Sequence, residues 1–208
     1  MKKIFAMVAV AAGLLFAGNA NAQLGIHLGY SPETWTTGDN SSDINGIFAG
    51  VDYNMPLAGA LNLNLGGQVR YNSKSSSTTV GSGSLSQTTK IDKTQILLDV
   101  PVLLNYGFNL TGDLKLSVFA GATVSYAFVG QTKTTLSGLI NSEGDPSSWY
   151  GDNGSYNPLN LSGTFGLCFS YQQFRLFGGY NMGLMDIDKN DNTTTKTSGL
   201  FFGLGMAL

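Results

Sequence analysis

Apolar and polar residues alternate along most of this chain with a period of two. The segment 60–74, ALNLNLGGQVRYNSK, has the clearest alternation. Successive side chains of a β-strand point to opposite faces, so the apolar residues of this segment share one face, and its amides and arginine share the other. The pattern predicts a strand and leaves two alternatives. Leucines packed on a protein core would make a soluble sheet, whereas amides packed inside would require the leucines to face lipid.

Eight alternating runs predict eight strands, separated by segments rich in Gly, Ser, Thr and Asn. The runs span residues 24–31, 44–54, 60–72, 94–106, 114–128, 159–171, 174–184 and 198–208. Beyond the N-terminal segment, no stretch has the 3.6-residue period of an amphipathic helix. The predicted fold class is therefore all-β.

The connections between these runs alternate strictly between short and long. The second, fourth and sixth runs are followed by MPLAG, GFNLTGD and QQ, whereas the other connections are long and polar. The long ones span residues 32–43, 73–93, 129–158 and 185–197. An outer-membrane barrel has short turns at one rim and long loops at the other. The pattern predicts one eight-stranded antiparallel up-and-down transmembrane β-barrel, with its termini in the periplasm and its long loops outside.

Composition favours the membrane over water. Charged residues make up 12% of the chain and hydrophobic residues 42%, whereas soluble domains have roughly 25% charged residues. Every backbone polar group in hydrocarbon needs an internal partner, which a closed barrel supplies. We therefore expect the leucine face to contact lipid and the amides and charges to line the lumen.

This orientation predicts three sets of side chains. The lipid-facing set includes Leu61, Leu63, Leu65, Val100, Val102 and Leu204. The polar lumen set includes Asp52, Asn62, Asn64, Gln68, Arg70, Asp99, Lys115 and Arg175. Tyrosines near the ends of the runs are expected to form two aromatic girdles at the membrane interfaces, and they are Tyr53, Tyr71, Tyr106, Tyr126 and Tyr171.

The N-terminus has the features of a secretory signal. Lys2 and Lys3 precede an apolar run, and Ala20 and Ala22 occupy the small-residue positions of a cleavage site. We expect cleavage after Ala22, so that residues 1–22 are the signal peptide and residues 23–208 form the barrel domain. An uncleaved membrane helix is the alternative, but the apolar run is short for one.

Charge and cysteine content exclude two classes of protein. The mature chain has nine basic and 13 acidic residues, a net charge of −4, and no basic stripe. This balance does not fit a nucleic-acid binder. Its single cysteine, Cys168, excludes an internal disulfide framework.

Three segments carry a family resemblance. QILLDVPVLLNYGF, residues 95–108, is a leucine-rich strand with a central proline followed by an Asn-Tyr-x-Phe turn. With LKLSVFAGATVSYAF and FRLFGGYNMGL, it resembles the eight-stranded outer membrane protein beta-barrel domain family common in Bacteroidetes, often labelled porin-family and OmpA/OmpX-like. The resemblance implies this fold and an outer-membrane location, but no single activity. Since proline cannot donate to a sheet ladder, we expect a bulge or a missing ladder bond at Pro101.

The predicted lumen charges have two interpretations. An eight-stranded barrel is just wide enough for its side chains to fill the interior, so the charges can form a self-neutralising plug. The alternative is a narrow, ion-selective path between them. These charges need partners, because an unpaired buried charge costs several kcal/mol, and we favour the plug because the interior is so narrow.

No residue set predicts catalysis or metal binding. His27, the only histidine, is expected to face the lumen as a hydrogen-bonded side chain, because no Ser/His/acid spacing accompanies it. DIDKNDN, residues 186–192, resembles the start of a calcium loop, but Asp191 and Thr197 stand where that loop requires glycine and glutamate. We therefore predict a polar loop here, no cofactor or metal, and no enzymatic activity.

The third long loop and the lumen remain as candidate functional regions. Its Trp149, Tyr150 and Tyr156 could form a recognition surface or pack across the barrel mouth. We expect an integral outer-membrane protein with an envelope-structural or surface-interaction role. Its expected partners are membrane lipid, lipopolysaccharide, and an unidentified extracellular protein or glycan. The alternatives are a narrow solute or ion pore, a soluble lipocalin-like binder and a lipid-modifying barrel enzyme.

Overall fold

The computed structural model describes residues 23–82, 85–138, 140–152, 154–190 and 192–208. The predicted signal peptide, residues 1–22, lies outside this part of the chain. The strands are β1 (Gln23–Tyr30), β2 (Glu33–Thr37), β3 (Asn40–Ala58), β4 (Leu61–Val80), β5 (Gln87–Thr111), β6 (Leu114–Gly138), β7 (Ser142–Glu143), β8 (Ser147–Ser148), β9 (Leu159–Tyr171), β10 (Phe174–Gly183) and β11 (Thr195–Ala207). Within the described ranges, no helix has the length and apolarity needed to cross a membrane.

The strands close into a ring. β1 and β2 are consecutive parts of one wall segment, and both pair with β3 on one side and with β11 on the other. The other wall segments follow in chain order as β3, β4, β5, β6, β9, β10 and β11. Neighbours are antiparallel, and the seam closes where Gly25 faces Ala207 and Tyr30 faces Phe202. The predicted eight-stranded up-and-down barrel is confirmed.

The barrel is apolar outside and polar inside. On β4, Val69 is 55% exposed, whereas the next residue, Arg70, is 6% exposed. Strand alternation places Leu61, Leu63 and Leu65 on the same outer face as Val69. Polar side chains are buried within the ring, among them Asn64, Asn72, Gln95, Asp99, Thr123, Ser125, Ser162 and Thr164.

Three of the predicted long loops are shorter than the sequence indicated, since β6 also continues to Gly138. Residues 73–93 continue the β4–β5 ladder from Ser73↔Thr94 to Val80↔Gln87, and residues 32–43 contain β2 and the start of β3. Ladder hydrogen bonds use backbone groups and need no apolar side chains, and β-branched threonine favours strands. The hydroxyls of Thr79 and Thr88 lie 2.9 Å apart across the ladder. The polar hairpins therefore extend the wall beyond its apolar band.

The opposite rim carries tight turns, as the short connections predicted. Two residues join β3 to β4, β5 to β6, and β9 to β10. Gly59 and Gly112 occupy left-handed backbone positions in the first two turns, with φ of 57° and 51°. Gln172 adopts a φ of 51° in the third turn, a conformation that disfavours residues with a Cβ.

Pro101 is accommodated without a change of register between β4 and β5. The pairing is interrupted between Leu65↔Val102 and Gln68↔Asp99 and then resumes in the same register. A Cβ on Gly66 would lie 2.8 Å from Pro101 Cγ, so the glycine gives space to the proline ring. The missing ladder bond, one of the two expected accommodations, is what occurs.

Candidate functional site

Arg70 of β4 lies in the lumen between two carboxylates. Its Nη1 donates to Glu33 Oε2 at 2.6 Å, and its Nη2 donates to Asp99 Oδ1 at 3.2 Å. Its Nε is 3.0 Å from Asp99 Oδ2. All three residues are buried. The guanidinium therefore connects β2, β4 and β5 through the interior.

Asp52 of β3 holds a second ion pair. Arg175 of β10 contacts it with both terminal nitrogens, Nη1 to Oδ2 at 2.8 Å and Nη2 to Oδ1 at 2.7 Å. Asn64 donates to Oδ2 at 3.0 Å. A Cβ on Gly25 would collide with the Arg175 guanidinium. The absence of a side chain on β1 thus lets Arg175 reach Asp52 in a bidentate geometry, which is the stronger and more directional form of this contact.

His27 and Gln68 join the two ion pairs. His27 Nδ1 is 3.1 Å from Asp52 Oδ1, and His27 Nε2 is 3.1 Å from Gln68 Oε1. Gln68 Nε2 donates to Asp99 Oδ2 at 3.1 Å, so its amide oxygen must face the imidazole. Both ring nitrogens of His27 are therefore engaged by oxygen atoms of the network.

Six of the eight predicted lumen residues belong to this network, and two do not. The six are Asp52, Asn64, Gln68, Arg70, Asp99 and Arg175. Asn62 donates instead to the carbonyl of Ala60 at 3.2 Å. Lys115 lines a cavity of about 300 Å³ at the short-turn end, and no described carboxylate forms an ion pair with it. A smaller cavity of about 110 Å³ lies between the ion pairs, with Phe48, Phe119, Phe177 and Phe201 in its wall.

Tyr150 covers the network at the long-loop end. Its hydroxyl accepts a hydrogen bond from Gln95 Nε2 at 2.6 Å, and Gln95 Oε1 accepts one from Asn72 Nδ2 at 2.8 Å. A Cβ on Gly130 would collide with the Tyr150 ring, so this close approach requires glycine. Burial raises the pKa of the Tyr150 hydroxyl above its usual range, and the nearby Glu33 carboxylate raises it further.

Trp149 and Tyr156 also pack across the mouth. Trp149 Nε1 donates to Thr132 Oγ1 at 2.8 Å. Its ring centroid is 5.4 Å from that of Trp35, and the Trp35 centroid is 5.2 Å from that of Tyr156. Trp35 Nε1 donates to Glu33 Oε1 at 2.6 Å, which ties these aromatic rings to the lumen network. The three rings are half-buried, so a recognition role for them remains a proposal.

The predicted outward residues lie on the outer face with different exposures. Tyr71, Tyr106 and Tyr171 are exposed, Tyr126 is half-buried, and Tyr53 is only 7% exposed. Val102 and Leu204 are exposed, whereas Leu61, Leu63, Leu65 and Val100 are half-buried. Tyr53 therefore presents little of its ring at the surface. Its cross-strand neighbours are Leu24 and Leu65.

The loop around Asp186 uses its own acceptors to hold its shape. Asp186 Oδ1 accepts hydrogen bonds from the backbone N–H groups of Thr195 and Asp188, at 2.8 and 3.0 Å. Asp188 Oδ1 accepts one from Asn190 N at 2.9 Å. These bonds lower the pKa of both aspartates. No group of three or more His, Cys, Asp or Glu residues suited to a metal ion is found in the described part of the chain, which does not include Asp191.

Sequence reasoning missed several members of the site, among them Glu33, Trp35 and Gln95. Pro32 ended the first predicted run, so the two residues after it were assigned to a loop. The alternation of Glu33, Trp35 and Thr37 with Thr34 and Thr36 was the available signal for β2. Gln95 lay within a predicted strand, but its partner Tyr150 is 55 residues away in a loop.

Comparison with known proteins gives a family and a fold. The profile of the family described as outer membrane protein beta-barrel domain matches residues 7–189. No curated protein matches this sequence.

Three solved structures illustrate the similarity in fold. Ail, the attachment invasion locus protein of Yersinia pestis, in complex with the heparin analogue sucrose octasulfate, is 13% identical with a TM-score of 0.47, over 90% of this chain and 99% of that one. Neisserial surface protein A is 14% identical with a TM-score of 0.46, over 89% and 98%. The outer membrane enzyme PagL is 12% identical with a TM-score of 0.35, over 84% and 97%. These likenesses concern the barrel fold alone.

Proposed function

Because this chain belongs to the outer membrane protein beta-barrel domain family and resides in the bacterial outer membrane, we propose that it is a non-conducting, non-enzymatic barrel. It acts through its long loops, which face the cell exterior, while its termini lie in the periplasm. Lipid and lipopolysaccharide contact its outer wall, and its surface partner is an extracellular protein or glycan. The ion-pair network of the lumen is the observation that carries this proposal.

The network supports a closed lumen because its ion pairs join side chains from different strands across the interior. Arg70 and Arg175 each hold a buried carboxylate from a different strand. An ion passing through would have to separate at least one of these pairs, and breaking a buried pair costs about 3–5 kcal/mol. Such a cost opposes steady conduction.

The position of His27 supports a role without catalysis. Its two ring nitrogens are occupied by Asp52 and Gln68. A general base needs a nitrogen within hydrogen-bond reach of a nucleophile, and neither nitrogen is free for one. We propose that His27 connects the two ion pairs and has a structural role in the lumen.

Planar-bilayer recording tests the proposal. The refolded mature protein should give no steady single-channel openings, whereas the triple variant Glu33→Ala, Arg70→Ala, Asp99→Ala, which removes the Arg70 ion pairs, should conduct small ions. Val69→Ala is the matched control, because Val69 adjoins Arg70 on the outer face. Steady openings of the unaltered protein would refute the closed lumen and favour the second candidate.

That second candidate is a narrow solute or ion pore. Two cavities favour it: one of about 300 Å³ at the short-turn end and one of about 340 Å³ at the long-loop end. A solute or ion that entered both would have mainly the network region between them left to cross. A pore would require the Arg70 contacts to open and close, which the same recordings would detect as gating.

A further inference from the structure

A cleft at the long-loop end has the size of a small-molecule site. It lies between the β2–β3 hairpin and the third long loop, and its volume is about 340 Å³. Small-molecule sites in proteins span roughly 300–1,000 Å³. The walls contain the aromatic residues Trp35, Trp149 and Tyr156, and polar residues that include Asn40, Ser42 and Lys93. The cleft therefore combines aromatic surface with hydrogen-bonding groups.

The aromatic rings of the cleft are fixed but not fully covered. Trp35 meets Trp149 at an interplanar angle of 66° and Tyr156 at 85°. These edge-to-face contacts hold the rings without stacking them on one another, and all three side chains are half-buried. Glu33 and Thr132 anchor the two indole N–H groups. A ligand would thus meet preorganised apolar surface, which reduces the entropic cost of binding.

The charges at this end disfavour a polyanion. Lys93 and Asp43 both line the cleft, so its lining carries one charge of each sign. Acidic residues outnumber basic ones in the long connections, where Asp39, Asp145 and Asp152 add negative charge. Interactions between exposed charges extend over about 10 Å at moderate salt, so this excess repels sulfated or phosphorylated ligands. An uncharged ligand with many hydroxyls is favoured.

We infer that this cleft binds a neutral saccharide from the extracellular medium, of about one or two sugar rings by its volume. A sugar presents apolar C–H faces, which suit Trp35 and Trp149, and a rim of hydroxyls, which suits Asn40 and Ser42. The inference rests on the proposed function, because it requires the long loops to face the exterior.

The orientation of the cleft indicates where the saccharide comes from. Trp35 lies two residues from Glu33, and Lys93 lies two residues from Gln95. Since Glu33 and Gln95 point into the lumen, strand alternation turns Trp35 and Lys93 toward the barrel axis as well. The sugars of lipopolysaccharide surround the outer wall, so they lie on the other side of these strands.

Intrinsic fluorescence can test the inference directly, because both tryptophans of the chain line the cleft. The mature protein in lipid nanodiscs is titrated with maltose, cellobiose, lactose and chitobiose. A heparin disaccharide and a lipid-free lipopolysaccharide core oligosaccharide form the two comparison arms. We expect a saturable change with at least one neutral disaccharide and an affinity at least tenfold lower in Trp149→Ala and in Asn40→Ala. Thr36→Ala, at an exposed position on the opposite face of the same hairpin, should bind as the unaltered protein does.

Several results would overturn the inference. They are no saturable response to any neutral probe, a response confined to the heparin disaccharide or to the core oligosaccharide, and an unchanged affinity in both cleft variants. Asn40 is exposed, so Asn40→Ala keeps the test valid if Trp149→Ala fails to fold. If no saccharide binds and the bilayer recordings show no channel openings, only the saccharide site is refuted. Channel openings would refute the proposed function, and the fluorescence titration would still report whether the cleft binds a saccharide.

Discussion

Replacing Arg70 by methionine tests whether the lumen network stabilises the barrel as a unit. Methionine keeps the unbranched shape but removes the charge and all donors, which strands the buried Glu33 and Asp99 carboxylates. Removing one partner of a buried ion pair costs about 3–5 kcal/mol, and here a single change affects two pairs. We expect the free energy of unfolding to fall by at least about 4 kcal/mol, toward the upper part of that range.

Urea-dependent folding into phospholipid vesicles measures this change, with tryptophan fluorescence as the signal. Lys115→Met is the matched control, because it removes a lumen cation for which no ion pair is found in the described ranges. Its cost should stay below about 1 kcal/mol, as for a weakly paired charge. The triple variant Glu33→Gln, Arg70→Met, Asp99→Asn should recover most of the loss, because it removes the stranded charges as well.

Two outcomes would refute this reasoning. If Arg70→Met unfolded within about 1 kcal/mol of the unaltered protein, the contacts of Arg70 would be worth no more than a surface ion pair. If the triple variant were no more stable than Arg70→Met, the loss would come from packing and not from stranded carboxylates. Either result would also weaken the case for a lumen closed by charge pairing.

Three further predictions concern the turn and the mouth. Gln172→Asn should raise the free energy of unfolding by up to about 1 kcal/mol in the urea assay, because asparagine tolerates the left-handed conformation better than glutamine does. Gly130→Val should displace the Tyr150 ring, so that absorbance at 295 nm records Tyr150 titrating at lower pH. In the unaltered protein the raised pKa of Tyr150 means that the folded state keeps this proton after the unfolded state has lost it. Stability should therefore fall as pH rises above about 10, the ordinary tyrosine value. Tyr150→Phe should flatten that slope in urea unfolding measured between pH 9 and about 11.

The sequence predicts the barrel well because period-two alternation and loop length are local features. The five charges predicted for the lumen, Arg70, Arg175, Lys115, Asp52 and Asp99, did not include Glu33. Glu33 was missed because Pro32 interrupts the first strand. The wall continues past that interruption because β2 pairs with both β3 and β11.

The cap over the mouth was beyond sequence reasoning for a different reason. The contact between Tyr150 and Gln95 depends on the path of a long polar loop, and no periodicity encodes that path. Gly130 indicates a close contact only once the position of the Tyr150 ring, which occupies the space beside it, is known. The sequence thus indicated a role for the aromatic residues of that loop, but it could not show whether they bind a partner or pack across the barrel mouth.

Glu33 links the closed lumen to the candidate cleft. One of its carboxylate oxygens accepts from Arg70 and the other from Trp35 Nε1, both at 2.6 Å. Arg70 therefore holds Trp35 in place through a single intervening side chain, so a charge buried in the lumen fixes an aromatic ring at the mouth. Arg70→Met should therefore broaden and shift the fluorescence of Trp35 in a Trp149→Phe background, whereas Lys115→Met should not. If the Trp35 spectrum did not change when Arg70 was replaced, the cleft would keep its shape independently of the lumen network.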